Sequence, residues 1–325
     1  MADPVPTPAA PPLPDLSSSV PDDGLAVPFD FDAGRGEGLA SAVSLGGGGV
    51  FFVAWQVAYL AGLAARGVDL AGSDRVVGTS AGSLVASVLE AGAIGRFRKE
   101  VGLLSRAPRL VGALAPAGDL HPSQERARNL FFLAADADPG TIRAIGHAAL
   151  AARAPADSVM PRNVALVLAS RRWPAEALHV TCVDAFTGER CVVTRAHGVR
   201  ITRAVAASSA VPGLFTPQPI LDRRCMDGGV SGSGTHLDLL AGARRAVVLT
   251  LTDGAGATTG AMTSSPTGFT DELAALEKSG TAVLHRMPER MDLTTLMDPA
   301  AVPDAVAMGE RQAAADAEEL RTFLR

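Results

Sequence analysis

From residue 39 onward, short apolar runs alternate with longer stretches of helical spacing. Leu39 to Leu45 is a small-apolar run ending in four consecutive glycines, Gly46 to Gly49, and reads as a strand followed by a tight loop. From Phe51 to Ala65 the apolar positions Val53, Val57, Leu60, Ala61 and Ala64 share one helical face, and Gly67 ends the run. Arg75 to Gly78 reads as a second strand, Thr79 to Gly82 as a sharp turn, and Ser83 to Ala93 as a second helix with Leu84, Val85, Val88 and Leu89 inward. A strand–helix–strand–helix order implies a mainly parallel sheet covered by helices on both faces, a three-layer α/β/α sandwich.

The rest of the chain extends this pattern. Residues 96–160 predict two or three Ala/Leu-rich helices in a cap-like insertion. Strands are predicted at Val164–Leu168, Leu178–Val183 and Arg190–Thr194, the last two as a hairpin, then at Arg223–Met226 and Ala246–Thr252. Val199–Ala207 reads as a helix, Gly254–Thr267 as a polar loop, and Asp271–Arg286 and Asp304–Leu324 as helices of a C-terminal part spanning 268–325. Residues 1–36 are expected to form a disordered tail, since seven prolines fall in the first 21 positions. A single domain over 37–325 follows.

Composition narrows the function classes. Hydrophobic residues make up 47%, enough for a large core, and the net charge of −5 gives no general attraction to nucleic acid. Three cysteines without a CxxC pair point to a reducing compartment, hence a cytoplasmic protein, with neither a disulfide framework nor a metal site. No signal peptide or run of about 18 uncharged apolar residues is read, so membrane contact is expected to be peripheral at most. Arg96, Arg98, Lys99, Arg106 and Arg109 either face anionic headgroups or form a solvated helix face.

Gly78-Thr79-Ser80-Ala81-Gly82 has the form G-x-S-x-G and lies between an apolar strand and an apolar helix, the context of a nucleophile elbow. Its neighbours must be small, because strand and helix nearly collide there, and the helix start favours negative charge. Ser80 is therefore the expected nucleophile of an acyl hydrolase. The glycine run lacks the third glycine of a dinucleotide fingerprint and the Gly-Lys-Ser/Thr of a P-loop, so no nucleotide cofactor is expected. Next to an elbow it reads as an oxyanion hole, with Gly47, Gly48, Gly49 and Ala81 as its donors. For the base, His236 and His285 fit a Ser-Asp-His order loosely, whereas Asp227, followed by Gly228 and Gly229, stands at a strand end.

Glycine loop, elbow and Asp-Gly-Gly turn, together with Ala207-Ser208-Ser209-Ala210-Val211-Pro212, resemble the patatin-like phospholipase family over roughly residues 40–255. The resemblance implies a Ser–Asp dyad without histidine, in which Ser80 attacks an acyl ester of a lipid and Asp227 accepts its proton. It departs from the family in one place. Where the family loop reads G-G-G-x-Arg-Gly, this chain has Phe51 and Phe52, and a positive φ required at Phe52 would be strained. Phe51, Phe52, Trp55, Leu214 and Phe215 read either as an acyl pocket or as core, Trp55 as core. The rival readings are a Ser-His-Asp esterase and a non-catalytic lipid-binding protein on the same fold.

Overall fold

The computed structural model describes residues 23–104, 120–251, 268–289 and 296–325. The predicted loop at 254–267 lies outside them, as do Arg106, Arg109 and the tail up to residue 22. Five strands form a parallel core in the order β8-β7-β1-β2-β3: β1 (Ala42–Leu45), β2 (Arg75–Thr79), β3 (Leu178–Asp184), β7 (Arg245–Leu249) and β8 (Ala282–Arg286). Antiparallel β4 (Arg190–Val193) and β6 (Arg223–Asp227) pair with β3, and β5 (Gln218–Ile220) pairs with β6, completing the sheet.

Helices cover both faces, as the alternation of elements predicts. On one side lie α1 (Gly49–Ala64), α2 (Ala81–Glu90), α3 (Ile94–Leu104), α6 (Val159–Leu168), α7 (Ile201–Ser208) and α9 (Val302–Leu324), packed on Val43, Leu45, Val76 and Val180. On the other, α8 (Gly268–Lys278) and a short turn at Leu237–Leu240 cover Ala42, Val77 and Val248. Helices α4 (Pro122–Phe132) and α5 (Pro139–Ala151) pack on Val183, Ala185, Met226 and Val230, over the end of β6. Burial on both faces explains why the central strands β1, β2 and β7 are mostly apolar. No helix among the described residues is long and apolar enough to cross a membrane.

Three expectations are corrected. Val164–Leu168 is helical, the end of α6, and only Val164 of that helix is buried; a five-residue apolar run carries too little periodicity to separate strand from helix. The expected helix Asp271–Arg286 stops at Lys278, and β8 follows, because Gly280 at φ +87° breaks the helix and lets Ala282 pair beside Arg245. Residues 23–36, assigned by composition to the tail, are held against the sheet. Leu25 is fully buried and its carbonyl accepts from Val192 N–H at 2.9 Å, while Val27 N–H donates to Arg190 O at 2.9 Å. This segment covers the open edge of β4, where unpaired backbone groups would otherwise face solvent. Behind it, buried Arg190 forms a bidentate pair with Asp238 (2.5 and 2.7 Å) and stacks on Phe29, with its centre 4.6 Å from the ring.

Candidate active site

Sheet register brings the elbow and the acid together. Thr181 of β3 pairs with Thr79 of β2 on one side and with Val192 of β4 on the other. The next residue, Cys182, pairs with Asp227 of β6 and with Cys191 of β4. Strands β2 and β6 therefore share one edge of β3, end to end and in opposite directions, so that Ser80 and Asp227 leave the sheet at the same point. Beneath them the Thr79 and Thr181 hydroxyls hydrogen-bond at 2.8 Å. Gly228 packs directly on this pair. A Cβ there would lie 2.6 Å from Thr181 Oγ1 and 3.0 Å from Thr79 Cγ2, which is why the turn reads Asp-Gly.

Ser80 adopts φ 51°, ψ −120°, a conformation sparsely populated by residues other than glycine. Surrounding bonds hold it there. Its N–H donates to Ser208 Oγ at 2.8 Å, and its carbonyl accepts from Ser83 N–H (2.9 Å), Ser83 Oγ (2.7 Å) and Ser209 Oγ (3.2 Å). The elbow glycines are placed where the crossing is tightest. A Cβ on Gly78 would lie 2.6 Å from Ser83 Cα, and one on Gly82 would land on the Leu45 carbonyl oxygen. Gly82→Ala is therefore expected to lower stability by about 3 kcal/mol or more. Thermal unfolding checks this, and a midpoint within about 2 °C of the parent would show that the approach is looser than described.

Asp227 is completely buried. Its Oδ1 accepts from Gly229 N–H at 2.9 Å, and Oδ2 has no hydrogen bond of regular geometry among the described residues. Burial raises its pKa to about 6, while the nearby Ser80 hydroxyl and the Gly229 N–H pull it down. The Ser80 hydroxyl is thus among the groups that act on the carboxylate.

Beside the elbow, the glycine loop links β1 to α1. Gln56 Nε2 donates to Gly46 O at 2.9 Å, and Gly46 N–H bonds Leu249 O at 2.9 Å. Gly47 and Gly48 are buried, and among the described residues their N–H groups and that of Ala81 have no acceptor, leaving donors available next to Ser80. The positive φ of this loop falls on Gly49 (+67°), so the strain expected at Phe52 does not arise. Phe52 lies inside α1, fully buried and stacked on Trp55 at 5.5 Å, which stacks on Tyr59 at 4.9 Å. Phe51 and Phe215 are also core residues, and Leu214 is half-buried. Leu296 O accepts from Phe51 N–H at 3.0 Å, and with Met297 it covers Gly49, a neighbour that periodicity gave no reason to expect.

Among the described residues, none of the hydrogen bonds at Ser80 or Asp227 involves a histidine. His236 is fully buried beside Arg190, and burial followed by the Arg190 charge holds it well below the ordinary histidine pKa. His285 is on β8 rather than in a helix, with Nε2 2.5 Å from Thr250 Oγ1. Arg96 and Arg98 are paired with Glu100 and Glu310, which favours the solvated-face reading of that set. Cys182, Cys191 and Cys225 are free thiols buried in the core, and no cluster among the described residues could hold a metal ion.

A family model described as patatin-like phospholipase matches residues 43–240. No curated protein matches the chain. Among solved structures, the type III effector protein ExoU is similar at 19% identity over 85% of this chain and 53% of its own, with a TM-score of 0.31. VipD from Legionella pneumophila is similar at 13% identity over 92% of this chain and 68% of its own, with a TM-score of 0.40. The chain thus spans about half the length of ExoU.

Proposed function

Because the chain belongs to the patatin-like phospholipase family, we propose that it is a serine hydrolase of lipid acyl esters, working through a Ser80–Asp227 dyad and an acyl-enzyme. The observation that supports this reading is the Asp227 carboxylate at the strand end that meets the elbow: one oxygen is tethered to Gly229 N–H, the other is buried with no partner among the described residues, and the Ser80 hydroxyl is among the groups that act on it.

In the proposed reaction Ser80 Oγ attacks the ester carbonyl while Asp227 Oδ2 takes the hydroxyl proton. The resulting oxyanion is met by the unengaged N–H groups of Gly47, Gly48 and Ala81, with Gly49 completing the loop, in a site where preorganised donors need no rearrangement. The leaving alkoxide collects the proton from Asp227, and Ser80 remains acylated. Water then attacks the acyl-enzyme as Asp227 accepts its proton, and collapse of the second tetrahedral intermediate releases the fatty acid and restores Ser80. No residue role calls for a metal or cofactor. A carboxylate is a weak base for a hydroxyl, and its raised pKa moves it toward the task.

Three measurements test the proposal. A fluorophosphonate probe should label the protein once, at Ser80, as located by peptide mass spectrometry, and fatty acid should be released from phospholipid vesicles. Since Asp227 must be ionised to accept a proton, kcat/KM should rise with pH and level off above an apparent pKa near 6. A profile that follows a group titrating far from that value, or labelling at another residue, would remove Asp227 or Ser80 from the mechanism.

A further inference from the structure

The loop closing α7 touches both members of the proposed dyad. Ser208 Oγ accepts the Ser80 N–H at 2.8 Å, Ser209 Oγ donates to the Ser80 carbonyl at 3.2 Å, and Ala210 O accepts the Asp227 N–H at 3.1 Å. Ser208 is completely buried, so water cannot take its place as acceptor. The Ser80 N–H is consequently spent within the protein and is not an oxyanion donor, which leaves that task to Ala81 and the glycine loop.

We infer that Ser208 is a positioning residue for the nucleophile: its hydroxyl fixes the Ser80 amide in the strained elbow conformation, and the segment Ser208–Ala210 sets the distance between Ser80 and Asp227. The physical reason lies in the backbone. At φ 51°, ψ −120° the Ser80 peptide would relax if released. On the N–H side Ser208 is the bonded partner of Ser80 among the described residues. Rotation would swing Oγ away from Asp227 and tilt the start of α2, whereas the acyl-binding surface would stay in place. Loss of alignment, with substrate binding retained, is the expected signature. This inference rests on the dyad reading above.

The test compares the parent, Ser80→Ala, Ser208→Ala and Ser208→Cys for the second-order rate of fluorophosphonate labelling and for kcat and KM on a short-chain p-nitrophenyl ester. Ser208→Ala should lower the labelling rate and kcat together by about 10- to 100-fold, as expected for a displaced nucleophile. KM should stay within about twofold of the parent. Ser208→Cys keeps the volume but offers a weak acceptor, so it should fall between parent and alanine variant, and it carries the test if the alanine variant does not fold. Equal labelling of the parent and both Ser208 variants, or a loss expressed in KM alone, would overturn the inference. A parent protein that is never labelled would instead overturn the dyad reading beneath it.

Discussion

Ser80→Ala is expected to reduce ester hydrolysis by about 10⁴-fold or more and to abolish fluorophosphonate labelling. The fold should survive the change, for a specific reason. The bonds that hold the elbow, to Ser208, Ser83 and Ser209, all involve the backbone N–H and carbonyl of residue 80, and alanine keeps both. Alanine also bears the same positive φ as serine, so the stored strain is unchanged. Thermal unfolding close to that of the parent, together with lost turnover, isolates the hydroxyl as the reacting group. Full turnover by the folded variant would rule out Ser80 as the nucleophile.

Asp227→Asn is expected to cost about 10³-fold or more in kcat, because the amide cannot accept the Ser80 proton. It should also make the protein more stable above pH 6. The acid titrates near 6 when folded, above the ordinary carboxylate value of 3.8, so the folded state binds the proton more tightly. Stability contributed by the protonated form is present at low pH and declines as pH rises between about 4 and 6. Above that window the buried charge costs roughly 3 kcal/mol, which asparagine avoids while its carbonyl keeps the bond from Gly229 N–H. A variant that is inactive and more stable at pH 8, but matched with the parent at pH 4, fits a base buried for function. Equal stability at both pH values would mean that Asp227 is not ionised at the cost described.

The elbow was legible because its constraints are local. Strand, serine between small residues, and helix follow one another directly, and the glycines answer to backbone a few residues away or on the neighbouring strand. The glycine loop was equally readable, but the expected strain at Phe52 was assigned without knowing that α1 begins at Gly49 and places Phe52 in its interior. The histidines could not be sorted in the sequence. Chain order left His236 and His285 open, and only the tertiary structure places His236 in a buried position beside Arg190 and Gly228 and His285 on β8. Ser208 stood within a recognisable small-residue stretch, yet a serine has no periodic signature for its partner. Its bond to Ser80 became visible only with the end of α7 in place.

Apolar periodicity, the small residues of the elbow and the glycine runs determined the α/β class, the order of the central elements and the position of Ser80, because each depends on the chain's own neighbours. The meeting of Ser80 with Asp227 was decided by tertiary structure. It requires β2 and β6 to occupy one edge of β3 at successive positions, Thr181 and Cys182. Pairing energies between strands distant in sequence depend on the whole sheet being assembled, and a shift of one residue in register would turn the acid to the opposite face.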